Sequence, residues 1–120
     1  MDTPPRIVVL DRLAQGESAD PEVGKLLAGQ PRAWVANQYA DASGQFFCGL
    51  WQGTSGRWRV RYTEHEFCVI LEGRVRIESP DGERHEFQAG DAFVVPAGFT
   101  GNWEVLGTCR KWYAIFEART

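Results

Sequence analysis

The residues with most chemical potential lie in one short run, Tyr62-Thr-Glu-His-Glu-Phe-Cys68, which continues into apolar Val69-Ile-Leu71 and the turn Glu72-Gly73. A histidine flanked by Glu64 and Glu66 suggests a metal centre, because carboxylate and imidazole both ligate divalent metals. Strand alternation tests this. Neighbours on a strand point to opposite faces, so if Glu66 points inward, His65 points away unless a bulge re-aims it. Tyr62, Glu64, Glu66 and Cys68 share one parity and can converge. They are the alternative, improvised ligand set; Cys68 alone reads as apolar core.

Glu66 has two readings. It is a structural carboxylate paired with Lys, Arg or Tyr, or it grips or protonates a small ligand, for which a burial-raised pKa suits acid–base work. Its possible partners are Tyr62, the indole N–H of Trp103, Lys111 and Tyr113. In the last strand-like run, alternation puts Lys111, Tyr113 and Ile115 on one face and Arg110, Trp112 and Ala114 on the other. Trp51, Trp58 and Trp103 could form an aromatic wall for a ligand, although such residues more often fill a core. Catalytic candidates are therefore Glu66, Tyr62 and Lys111, and ligand-binding candidates Tyr62, Glu64, Glu66, Trp51, Trp103, Lys111 and Tyr113. His85 reads as surface, and Asp91 as a turn residue bonding local backbone N–H groups. No Ser or Cys has a His–acid pair for a nucleophile triad, and GTSG and AGFTG lack the phosphate-loop pattern.

The elements that must position these groups are strands. From Pro31, runs rich in aromatic and β-branched residues recur about every ten residues, as in a sandwich or barrel. The candidates are RAWVANQY, QFFCGLWQ, RWRVRYT, EFCVILEG, RVRIES, RHEFQ, DAFVVP, GNWEVL and RKWYAIFE. The expected breaks include GTSG, Glu72-Gly73, Gly107-Thr108 and Pro80-Asp-Gly82, the last a strong hairpin signal. Residues 1–30 are broken by Pro and Gly and read as an arm packing on a barrel of residues 31–120. Within the arm, Ile7–Leu10 could be a short strand and PEVGKLLAG a helical turn. FCVIL, AFVV and WYAIF are apolar at successive positions, which predicts burial on both faces. The outer face then needs a cover, either the arm or a second subunit, so a homodimer is expected.

Composition narrows the class. A chain of 120 residues with 43% apolar and 24% charged residues fits one globular domain. A net charge of −3 with scattered basic residues is a poor match for nucleic acid, and no apolar run approaches the ~20 residues that span a bilayer. Arg57, Arg59 and Arg61 alternate along one strand and read as an exposed face. The N-terminus shows no secretory signal pattern, and three cysteines without CxxC spacing argue against a disulfide framework, so a cytoplasmic location is expected.

Two stretches resemble the cupin signatures. Glu66 followed by FCVILE and Gly73 matches the E-x6-G half of the first cupin motif, and Gly90 followed by DAFVV and Pro96-Ala-Gly98 matches the G-x5-PxG half of the second. GLWQGTSGRWRV, EHEFCVILEGRVRI, AGDAFVVPAGFTGNWEV and RKWYAIFE are similar to small cupins grouped with the cupin domain of ureidoglycine aminohydrolase and with ethanolamine-utilisation proteins. The resemblance covers roughly residues 45–117 and implies an all-β, single-domain, jelly-roll-like β-barrel.

The departures bear on activity. In metal-binding cupins, two His of the first motif, its Glu and a His of the second hold the ion. Carried over, the Glu falls on Glu66, the His positions of the first motif on Tyr62 or Arg61 and on Val60 or Arg59, and that of the second on Gly101. Only Glu66 is retained, and a transition metal takes about three protein ligands, so no cofactor and no standard metal site is expected. Three readings stand: a cupin binding a small polar metabolite without metal, an enzyme on small nitrogenous metabolites of the kind the aminohydrolase resemblance implies, and a non-catalytic accessory subunit.

Overall fold

A computed structural model describes residues 4–119; residues 1–3 of the expected arm and residue 120 lie outside it. Among the described residues there are eight strands: β1 Glu17–Ser18, β2 Leu26–Gly29, β3 Ala33–Ala40, β4 Phe46–Arg61, β5 His65–Glu78, β6 Arg84–Gln88, β7 Ala92–Val95 and β8 Thr100–Phe116. All pairings are antiparallel, in the order β1-β3-β4-β8-β5-β6, with β2 on β4 and β7 on β5. The sheet folds over on itself as a jelly-roll-like sandwich without closing into a hydrogen-bonded ring.

Three expected breaks are not turns. GTSG lies inside β4, Glu72-Gly73 inside β5 and Gly107-Thr108 inside β8, and each marks a register shift or irregularity. Bulges bend a strand without ending it. These strands therefore cross from one half of the sandwich to the other. Gly73 sits at a bend with φ 82, and a Cβ there would lie 1.7 Å from the carbonyl oxygen of Thr108, so only glycine fits. Pro80-Asp-Gly82 makes the expected hairpin: the Ser79 N–H donates to the Glu83 oxygen at 2.8 Å, and β5 pairs with β6.

The inner faces meet in one core of Trp58, Cys68, Ile70, Val75, Ile77, Val95, Trp103, Val105 and Cys109. The N-terminal segment departs from expectation. Ile7–Leu10 forms no strand, and Ile7 is 92% exposed. PEVGKLLAG forms a single 3-10 turn at Val23–Lys25 before entering β2. The two-sided burial expected of FCVIL is also corrected. Cys68 and Ile70 are fully buried, but Phe67 is 47% exposed on the outer face.

Candidate functional site

β4, β5 and β8 bring the polar residues of the inner face together at one end of the sandwich. Ile70, Lys111 and Trp51 lie in one cross-strand row, and Cys68 and Tyr113 pair in the next. The Lys111 side chain runs along the strands rather than across them. Its ammonium donates to Glu66 Oε2 at 3.0 Å and to Cys68 Sγ at 3.5 Å. It also lies 4.2 Å from the Trp103 ring centroid and 5.2 Å from that of Trp51, a desolvated cation–π arrangement. Lys111 is 3% and Glu66 5% exposed, the only buried charged groups among the described residues.

The second-motif loop fixes Tyr62. Gly98 N–H donates to the Tyr62 carbonyl at 2.8 Å, and Tyr62 N–H donates to the Phe99 carbonyl at 2.9 Å. The Tyr62 ring meets Phe99 edge-on. His65 faces away, as alternation requires, and its Nδ1 accepts the Ala97 N–H at 3.1 Å. Asp91 accepts the Gln88 N–H at 2.8 Å, as a turn residue should.

A cleft of 360 Å³ opens over this cluster. Tyr62, Glu64, Glu66, Trp51, Trp58, Trp103 and Lys111 line it, with Asp20, Pro21, Glu22 and Lys25 at its rim. Tyr113 does not; its hydroxyl donates to Asn37 Oδ1 at 2.8 Å behind the cleft. The rim residues escaped sequence reasoning because no local pattern shows that β2 docks on β4. Trp51 stands 6.2 Å from both Trp58 and Trp103, so the three indoles form one continuous wall. The Trp103 indole N–H is buried without an acceptor among the described residues.

Electrostatics follow from burial. Burial opposes the Lys111 charge, but Glu66 with Cys68 and Tyr62 outweighs it and holds the ammonium well above the usual lysine range. Burial pushes the Tyr62 phenol well above its ordinary value and the Cys68 thiol up to about 12, so both are neutral donors near neutral pH. Burial also raises the Glu64 carboxyl.

The residues at the motif positions do not fit a cupin metal centre. On the inner face those positions are Val60 and Tyr62, and Gly101 lies directly opposite Val60. A Cβ on Gly101 would sit 2.2 Å from the Glu78 carbonyl oxygen, so the backbone leaves no room for an imidazole. Among the described residues, no group of three or more His, Cys, Asp or Glu could hold a metal ion.

A bent antiparallel sandwich with a polar cleft at one end, Glu66 and Gly73 in one signature and Gly90, Pro96 and Gly98 in the other, defines a small cupin. Residues 40–113 match the EutQ-like cupin domain family, and the chain belongs to that family. A Pseudomonas syringae protein of unknown function in the DUF861 family superposes with a TM-score of 0.81 at 27% identity, over 88% of this chain and 46% of that one. This chain thus spans less than half of that relative. The Clostridium difficile EutQ protein matches at TM-score 0.66 and 17% identity, over 73% of this chain and 64% of the other. A putative ethanolamine utilization protein from Salmonella typhimurium matches at 0.65 and 19%, over 73% and 72%. No curated protein matches the chain.

Proposed function

We propose that the protein binds a small polar metabolite in the cleft over Tyr62 and Glu66, and does so without a metal ion. The Lys111–Glu66 pair carries this reading. Glu66 is the one motif carboxylate retained, and a protonated amine already holds its oxygen at 3.0 Å. A second cation there meets a like charge at close range, worth ~4 kcal/mol at 4 Å for an effective dielectric near 20. The 360 Å³ cleft suits a small metabolite. Tyr62, neutral at its wall, and the acceptor-less Trp103 N–H favour a ligand bringing an oxygen acceptor, with its body on the indoles. Three free cysteines fit a reducing compartment, and we assign the protein to the cytoplasm.

The first test is metal content by mass spectrometry on untagged protein. Stoichiometric zinc, manganese, iron or nickel overturns the metal-free reading. Thermal-shift screening of carboxylates, amines and ureides, with and without chelator, then identifies the ligand. Tyr62→Phe is expected to weaken binding about tenfold, the loss of one hydrogen bond, while leaving the ligand-free melting temperature within a degree or two.

A second reading is an enzyme acting on a small nitrogenous metabolite in the same cleft. It is favoured by Glu64, whose carboxyl burial holds in its protonated form to higher pH than usual, beside the neutral Tyr62. Turnover lost in Glu64→Gln, with ligand affinity kept, would support it.

A further inference from the structure

The cleft over Glu66 is open along one strand edge. β2 covers β4 only as far as Trp58, which pairs with Leu26. Beyond it Arg59, Val60 and Arg61 pair with β8 alone, opposite Asn102, Gly101 and Thr100. Tyr62 turns both its N–H and its carbonyl toward Phe99 and Gly98, on the β8 side. Backbone groups in an antiparallel ladder alternate in direction from one residue to the next. The N–H and carbonyl of Arg61, and those of Arg59, therefore face the bare edge, which borders the cleft.

The acids that line the cleft are Asp20, Glu22, Glu64 and Glu66. Three of them already have a cation. Lys111 holds Glu66 at 3.0 Å, Arg32 holds Asp20 at 3.0 Å, and Lys25 lies 3.9 Å from Glu22. The fourth, Glu64, accepts the Thr63 hydroxyl at 3.1 Å, and burial raises its carboxyl.

The cations are not matched in the same way. Arg59 and Arg61 also line the cleft, both are exposed, and among the described residues neither makes an ion pair. A guanidinium keeps its charge at any ordinary pH, and its planar fork fits the two oxygens of a carboxylate. Alternation starts both stems on the outer side of β4. With no strand beside them, the long side chains have room to cross the bare edge to the mouth. Two guanidiniums thus stand against the single carboxyl of Glu64, a surplus of one positive charge.

That surplus decides the charge of the ligand. A cationic amine meets two free guanidiniums, and a neutral ligand leaves both unanswered. A dianion spends the surplus with its first charge and sets the second against Glu64. A monoanion balances the mouth. The rest of the ligand is set by the wall, where Trp51 stands 6.2 Å from both Trp58 and Trp103 and the three indoles offer a flat apolar surface. The neutral Tyr62 phenol, next along β4 from Arg61, adds an O–H donor.

We propose that the cleft takes a monocarboxylate with a flat apolar body, its carboxylate held at the bare β4 edge by Arg61 and Arg59 and its body laid on the indole wall. This rests on the cleft being a metabolite site. Calorimetric titration of the full chain with four probes sharing one ring tests it: benzoate, benzamide, benzylamine and phenyl phosphate. Benzoate is expected to bind about tenfold or more tighter than each of the others. The preference over benzamide is expected to vanish in Arg59→Gln/Arg61→Gln, to survive in part in Arg61→Lys, and to shrink at 1 M salt, where the Debye length is ~3 Å. Circular dichroism of these exposed-site variants is expected to match the wild type. Benzamide bound as tightly as benzoate, with Tyr62→Phe weakening both, keeps the metabolite site and overturns the carboxylate. Tighter phenyl phosphate or benzylamine overturns the monoanion. A benzoate preference that outlasts the double arginine variant overturns the role of Arg59 and Arg61. No binding of any probe at millimolar concentration overturns the proposal, while the metabolite site still stands or falls by the metal and thermal-shift measurements.

Discussion

At the scale of single residues, the molecule turns on one buried ion pair. Removing a single partner from such a pair leaves an uncompensated charge, which costs ~3–5 kcal/mol, whereas replacing both can be nearly neutral. Lys111→Met is therefore expected to be strongly destabilising, Glu66→Gln less so, and the double variant more stable than Lys111→Met alone. Urea unfolding of the four proteins in a double-mutant cycle checks this. An additive double variant would mean that the pair at 3.0 Å contributes no coupling. The pair was half legible in the sequence. Alternation put Lys111, Tyr113 and Ile115 on one face without saying which face is inner, and the E-x6-G signature singled out Glu66. Lys111 stood among four possible partners of Glu66, with Tyr62, Trp103 and Tyr113; that it is the one that reaches was not legible, because Glu66 pairs directly with Ile115 and only the length of the lysine stem spans the gap.

At the scale of elements, nearly all strand-forming runs were legible from their aromatic and β-branched composition, but their continuity was not. Glycines at GTSG, Gly73 and Gly107 read locally as turns. The structure uses them as bends inside β4, β5 and β8, because the partner strand continues past each and holds the ladder together. Ile7–Leu10 failed in the opposite sense: its β-branched composition reads as a strand, but propensity alone does not form one without a pairing partner, and the segment pairs with none. Gly73 and Gly98 separate close approach from backbone conformation. Both have positive φ, but a Cβ on Gly73 would strike Thr108 while one on Gly98 meets nothing within 4 Å. Gly73→Ala is expected to cost more than the ~1–3 kcal/mol of conformational strain alone, and Gly98→Ala to stay within it. Chemical denaturation of the two variants side by side decides this; equal losses would remove the steric account of the β5 bend.

At the scale of the whole molecule, burial of neutral acids makes stability depend on alkaline pH. Burial raises the Cys68 thiol from 9.0 to about 12, the Cys109 thiol to about 11 and the Tyr113 phenol to about 12. A group whose folded pKa lies above its unfolded value contributes stability below the unfolded value and loses it as pH rises toward the folded one. The unfolding free energy is thus expected to be flat near neutrality and to fall from about pH 9 upward, by up to ~1.4 kcal/mol per pH unit for each group titrating only when unfolded, and the melting temperature to fall with it. Calorimetry between neutral and alkaline pH measures it, and Cys109→Ala should flatten the slope. A melting temperature that holds constant to pH 11 would contradict the burial of these groups.

The carbonyl of Glu78 beside Gly101 also sets a barrier in sequence space. No single codon change at position 101 installs an imidazole there, because any side chain must first displace the end of β5. That end is held by the Arg84 and Asn102 bonds to Glu78 at 2.7 and 3.4 Å. Converting this scaffold into a metalloprotein is therefore a coordinated rewrite of two strands, with Lys111 removed as well. Anyone redesigning it would do better to keep the tethered ammonium and vary the rim.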